Sequence, residues 1–265
     1  MGNESDASRW VHRDEPVAGV ARLVLDRPPV NALSRALVAR LREEVDQVGR
    51  DAAARVILIA ARGRAFCAGA DLKERRGMSE SEVRATVAGI GALTRAVAGL
   101  PQPTLAVISG AALGGGLELA LACDLRIAAR SAKLGLTECS LAIIPGAGGT
   151  QRMARIAGPA VAKKWIFSAR VGTADDALAD RIVDWVVDDD RLEEAALEQA
   201  RAMARCGPVA LRAAKTAIDA GLGAGSLEAG LAVEQACYQR VLPTEDRREA
   251  LSAFVEKRPP RFSGR

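Results

Sequence analysis

Residues 105–124 read LAVISGAALGGGLELALACD. The apolar run 105–108 is a β-type segment, the three glycines 114–116 form a turn, and 117–123 is an apolar run of helical character. A strand delivered through a glycine turn directly into a helix is the unit from which α/β domains are built. Upstream, VARLVL at 20–25 and VILIA at 56–60 are also β-type runs. Between them Leu37, Leu41, Val45 and Val48 recur at helical spacing after Ser34, a candidate N-cap. Ser79 and Glu82 form a capping-box pattern that opens a helix over 80–98. Short strands are expected at 125–128 and 182–187. Strand and helix therefore alternate from about residue 18 to 190, which predicts an α/β core over 1–190.

The pattern changes after residue 190. Segments 191–205, 208–220, 226–241 and 244–257 all read as helices, separated by Gly207-Pro208, the glycines around 221–225 and Pro243. Thr244, followed by Glu245 and Asp246, is a well-formed N-cap with acids where the helix dipole favours them. A helical C-terminal region over 191–265 follows from this.

Composition excludes several function classes. A chain of 265 residues, 49% apolar and 26% charged, has enough material for one large core and is not a disordered polymer. Three Trp, one Tyr and four Phe are too few for a base-stacking platform, and a net charge of +4 is far from a nucleic-acid signature. Five cysteines without a C-x-x-C pair predict a reducing, cytoplasmic setting. His12 is the only histidine, so a Ser-His-Asp or Cys-His mechanism would rest on that residue, and no metal site is expected. The start, MGNESDAS, carries early acids and no apolar core, unlike a leader peptide. No apolar run of about 18 residues suggests a membrane span.

Three glycine-bearing loops remain as carriers of chemistry: FCAGADLKE at 66–74, ALGGGLELALACD at 112–124 and IIPGAGGTQR at 143–152. None is a G-x-G-x-x-G dinucleotide loop, a phosphate loop or a G-x-S-x-G elbow. Backbone N–H groups at Gly114–Gly116 suit a developing oxyanion, or the segment is simply a tight strand-to-helix turn. Glu118, inside LELALA, is costly to bury unless paired or functional; one turn into a helix it can also face solvent. Glu138 interrupts the apolar surroundings of GLTECSLAII. Cys67, with no histidine nearby in sequence, reads as a small buried filler rather than a nucleophile.

In order along the chain, FCAGADLKE, ALGGGLELALACD, LGLTECSLAIIPGAGGTQR and AFVEKR resemble the enoyl-CoA hydratase/isomerase (crotonase) superfamily from about residue 20 to the C-terminus. FCAGADLKER, LELALACD, IIPGAGGTQR, IFSAR, ACY and EKRPPR are most similar to its methylglutaconyl-CoA hydratase branch, which includes an AU-rich-RNA-binding relative. The resemblance implies a spiral of ββα units with a helical trimerisation region, assembled as trimers or hexamers. It implies hydration of 2-enoyl-CoA thioesters, with coenzyme A part of the substrate and no separate cofactor.

By the same resemblance, the N–H groups of Ala68 and Gly115 form the oxyanion hole. Glu118 is the principal water-activating base, Glu138 the acid for the α-carbon, and the Gly146 backbone helps place the water. Ala68, Gly69, Ala70, Asp71, Leu72 and Lys73 line the substrate, with Lys73, Arg75 and Arg76 near the CoA phosphates. Phe254 and Lys257 complete the site of a neighbouring subunit. A 3-methylglutaconyl substrate would need a cation for its distal carboxylate, for which Arg75, Arg76 and Arg84 are the candidates. RNA binding is disfavoured: over 34–51 four arginines (35, 40, 42, 50) face four acids (43, 44, 46, 51), leaving zero net charge.

Overall fold

The structure, a computed structural model, describes residues 4–265; residues 1–3, where the leader-peptide reading begins, lie outside them. A hairpin, β1 (Val11–Val17) and β2 (Val20–Leu25), leads through α1 (Arg35–Gly49) to β3 (Val56–Ala61), β4 (Ala65–Cys67), the single-turn α2 (Leu72–Arg75) and α3 (Glu80–Ala98). Then come β5 (Thr104–Ile108), β6 (Ala111–Leu113), α4 (Gly115–Leu121), β7 (Leu125–Ala129), β8 (Lys133–Gly135), α5 (Gly149–Ala157) and α6 (Pro159–Phe167). β9 (Gly172–Thr173), α7 (Ala174–Ala179), β10 (Trp185–Val187) and α8 (Leu192–Ala204) precede three closing helices, α9 (Pro208–Leu222), α10 (Leu227–Val241) and α11 (Glu245–Val255).

The strands sort into two sheets. One runs β1-β2-β3-β5-β7-β10, parallel except for β1; the other runs β4-β6-β8-β9, parallel except for β9. Each successive pair, β3/β4, β5/β6 and β7/β8, places its first strand in the large sheet and its second in the small one before a helix follows. The chain is therefore a spiral of ββα turns, as the resemblance implied. Ile57, Leu58 and Ile59 are all buried because the large sheet is covered on both faces, which explains the unbroken apolar runs.

Local chemistry places the helices where the sequence puts them. The Ser34 hydroxyl accepts the Leu37 N–H, and Leu37, Leu41, Val45 and Val48 face the core. The capping box of α3 forms in both directions between Ser79 and Glu82. Two expectations shift. α8 lies on the outer face of the large sheet, where Leu192, Ala196 and Ala200 pack with Val20, Leu58 and Leu105. It belongs to the α/β core, so the helical layer begins at α9 rather than at residue 191. α11 ends at Val255, and Lys257 lies beyond it with φ +53° rather than within a helix reaching 257. Lys215 ties α9 to the core through Asp124 at 2.8 Å and the Gln102 carbonyl at 3.1 Å. Among the described residues no helix is long and apolar enough to cross a membrane.

Candidate active site

Two strand ends of the small sheet face each other across the site. β6 runs into Gly114, whose φ of +50° disfavours any residue with a Cβ, and then into α4. A Cβ on Gly116 would collide with the Cys67 carbonyl at the end of β4, so only glycine lets α4 start against that strand. The first N–H groups of α4 have no partner within the helix. That of Gly115 meets no acceptor among the described residues, nor does that of Ala70. The two loops touch: a Cβ on Gly115 would lie 3.7 Å from the Ala70 nitrogen.

This geometry corrects one expected donor. The Ala68 N–H donates to the Val30 carbonyl at 3.0 Å and is not available to a ligand. Ala70 takes its place opposite Gly115.

Glu118 sits one turn into α4 and is only 3% exposed, which removes the solvent-facing reading. Its Oε1 accepts the N–H groups of Ala147 at 2.7 Å and Gly149 at 2.8 Å. Burial raises its pKa, while the two N–H groups and the nearby Arg152 oppose that rise. Arg152 in turn donates to the Ala147 carbonyl at 2.9 Å and the Thr94 carbonyl at 3.3 Å. Glu138 opens a 3-10 turn, Glu138–Leu141. Its Oε2 is buried without a hydrogen-bond partner among the described residues. Burial, with the negative charge of Glu118 added, pushes its pKa up to about 7. Two carboxyls thus share one site, one held by two N–H groups and one left near its midpoint at neutral pH.

Both line a cavity of about 500 Å³. Ala68, Gly69, Ala70, Leu72, Gly115 and Gly146 from the sequence-derived set line it as well. Asp71 and Lys73 do not. The Asp71 carboxylate caps α2, accepting the Lys73 and Glu74 N–H groups, and pairs with Arg27 at 2.8 Å. Lys73 is exposed outside the cavity wall. Phe254 and Lys257 do not line this cavity in their own chain. Of the three candidate cations for a distal carboxylate, Arg75 alone lines it. Val87 and Ile90 of α3, with Ile143 and Ile144, form an apolar wall that sequence reasoning missed. An apolar stripe on a helix gives no sign of facing a ligand rather than the core. Cys67 is fully buried, and burial pushes its thiol up to about 12, so it is no nucleophile.

Comparison with known proteins gives the same picture. The family model described as enoyl-CoA hydratase/isomerase matches residues 15–265. The human mitochondrial methylglutaconyl-CoA hydratase is 48% identical over 98% of this chain and 78% of its own length. The human mitochondrial enoyl-CoA hydratase domain-containing protein 2 is 43% identical over 94% of this chain and 87% of its own. The crystal structure of an enoyl-CoA hydratase from Bacillus anthracis superposes with a TM-score of 0.95 at 46% identity, covering 97% of this chain and all of that one.

Proposed function

The chain belongs to the enoyl-CoA hydratase/isomerase family, and from that premise we propose that it adds water across the 2,3 double bond of 2-enoyl-CoA thioesters. The observation that carries this reading is the pair Glu118 and Glu138 on the wall of one cavity beside two unengaged N–H groups. The thioester carbonyl oxygen sits between the N–H groups of Ala70 and Gly115. Glu118 takes a proton from water as the water oxygen bonds to C3. The π electrons move through C2 to the carbonyl oxygen, giving an enolate whose charge the two N–H groups meet as it develops. The carboxyl proton of Glu138 then passes to C2, the carbonyl re-forms, and proton exchange with water returns both carboxyls to their starting states. Holding one carboxyl ionised and the other protonated is what a paired acid and base require.

The division of roles follows from the surroundings. Two N–H bonds to Oε1 favour the charged form of Glu118, while the unpartnered Oε2 of Glu138 favours the neutral one. Gly146, on the same wall, contributes backbone to the water position. Coenzyme A enters as part of the substrate, and the reaction as written needs no further cofactor. Replacing Glu118 or Glu138 by Gln tests the assignment. Each change should lower kcat on crotonyl-CoA by roughly 10²- to 10⁴-fold with an unaltered circular dichroism spectrum. Full turnover by either variant overturns it.

We further propose a homo-oligomer, trimer or hexamer, in a reducing compartment and without RNA binding. Leu222, Leu227, Phe254 and Val255 are each more than three-quarters exposed on the closing helices, an apolar surface suited to a trimer or a pair of trimers. The unpaired cysteines favour a reducing compartment such as the cytoplasm, tested by fractionation of hydratase activity. RNA binding is disfavoured because Arg40 and Arg42 of α1 are ion-paired to acids of the same helix and Arg35 to Glu74. A finer reading, hydration of 3-methylglutaconyl-CoA, is supported by the name of the human relative.

A further inference from the structure

We propose that Arg75 sets acyl specificity, selecting enoyl-CoA thioesters whose short acyl chain ends in a carboxylate. The inference rests on the hydratase reading above and adds to it the residue that recognises the far end of the substrate.

Arg75 is a half-buried cation on a wall otherwise formed by Leu72, Val87, Ile90, Ile143 and Ile144. The acids beside it in sequence are engaged elsewhere. Asp71 pairs with Arg27 and caps α2; Glu74 accepts both the backbone N–H and the Nε of Arg35. Arg84, on α3, pairs with Glu80 and does not line the cavity. The backbone of Arg75 is hydrogen-bonded within its turn, to the Asp71 carbonyl at 2.9 Å, but its guanidinium has no hydrogen-bond or ion-pair partner among the described residues.

A half-buried guanidinium beside an apolar stretch of the cavity wall gives up part of its hydration without gaining a partner among the described residues, a cost that a ligand anion relieves. Its planar fork matches a carboxylate bidentately, which a neutral methyl terminus cannot exploit. The same charge disfavours long apolar tails, whose methylenes would desolvate it further. The wall thus combines apolar contact along the chain with one cation for the chain's end, and the fitting class is a branched or unbranched glutaconyl-type thioester.

The test compares kcat/KM for 3-methylglutaconyl-CoA and crotonyl-CoA in wild type, Arg75→Met and Arg75→Lys. Charge-assisted hydrogen bonds of about 1.5–3 kcal/mol predict that the acid-to-neutral ratio falls roughly 10- to 150-fold in Arg75→Met. Arg75→Lys, which keeps the charge and loses the fork, should lie between. Where turnover is too slow to read, competition between glutaryl-CoA and butyryl-CoA for the site gives the same ratio as binding constants. An unchanged ratio in Arg75→Met overturns the role of Arg75 while leaving the hydratase reading intact. A wild type that turns over crotonyl-CoA with no preference for the acid has the same meaning. Absence of turnover on both thioesters overturns both.

Discussion

The Ala147 N–H donates to Oε1 of Glu118 at 2.7 Å, while the carbonyl of the same residue accepts Nη1 of Arg152 at 2.9 Å. Ala147 is therefore gripped on both sides, and Arg152 fixes the loop that fixes the base. Arg152 also carries positive charge toward Glu118, opposing the rise in its pKa. Arg152 acts as a positioning residue, since it lines neither the cavity nor the reacting atoms.

Replacing Arg152 by Gln releases the Ala147 carbonyl and withdraws that charge. We expect kcat/KM to fall on the order of 10-fold or more, the scale on which misplaced catalytic groups lose rate. The acidic limb of the pH–rate profile should also move to higher pH, because the ionised form of Glu118 has lost a stabilising neighbour. A lower rate with an unmoved acidic limb would assign Arg152 to folding alone.

Glu138 makes a second pH prediction. As the acid, it must be protonated in the free enzyme, so kcat/KM should decline as pH rises through about 7. Its raised folded pKa also links to stability. Between the usual glutamate value of 4.5 and about 7 the folded state binds more protons than the unfolded one, so this group's contribution weakens as pH rises across that window. Glu138→Gln removes the buried charge. At pH 8 it should gain on the order of 1 kcal/mol after allowance for partial solvent access, about 2–4 °C in Tm. At pH 5 the gain should vanish. Equal melting shifts at both pH values would show that Glu138 is not held near neutrality.

The two oxyanion donors separate by an atom-level change. An amide-to-ester replacement at residue 70 or 115 deletes one N–H and leaves the backbone path intact. Each should cost roughly 10²–10³ in kcat. The same replacement at Ala68 should instead lower Tm and spare the rate, because its N–H serves the Val30 carbonyl. A rate loss at 68 with none at 70 would restore Ala68 as the donor.

How far the chain could be read in advance follows the length of its signals. The core strand runs 20–25 and 56–60, and the helices anchored by Ser34 and by Ser79 with Glu82, lie where pattern and caps put them. β4, β6, β8 and β9 escaped because strands of two or three residues carry no period. They form the small sheet, and β4 and β6 carry the glycine loops of the site. Ala68 and Ala70 differ by two positions and face the same way in an extended segment, so only the hydrogen bond from Ala68 to Val30 separates them. Arg75 was one of three equal candidates until the cavity wall distinguished it.

Phe254 is 82% exposed and Val255 79%, so neither side chain packs on its own domain, whereas the neighbouring Ala253 is buried. The turn that follows is nevertheless well fixed. Arg258 donates its N–H to the Ala253 carbonyl at 3.0 Å, and its guanidinium binds Glu249 and Glu256. Lys257 projects from this rigid turn with no acid paired to its ammonium among the described residues. An exposed Phe and an unpaired Lys on a fixed support, outside the lining of their own chain's cavity, suit a contact with the CoA moiety bound to a neighbouring subunit. Lys257→Ala should then raise KM for CoA thioesters about 10-fold and leave kcat in place, the mark of uniform binding lost. With pantetheine thioesters, which lack the 3′-phosphate, wild type and variant should converge, because the ammonium has nothing left to bind. Equal losses on CoA and pantetheine substrates would remove the phosphate contact, and with it the reason for the turn to be held so firmly over empty surface.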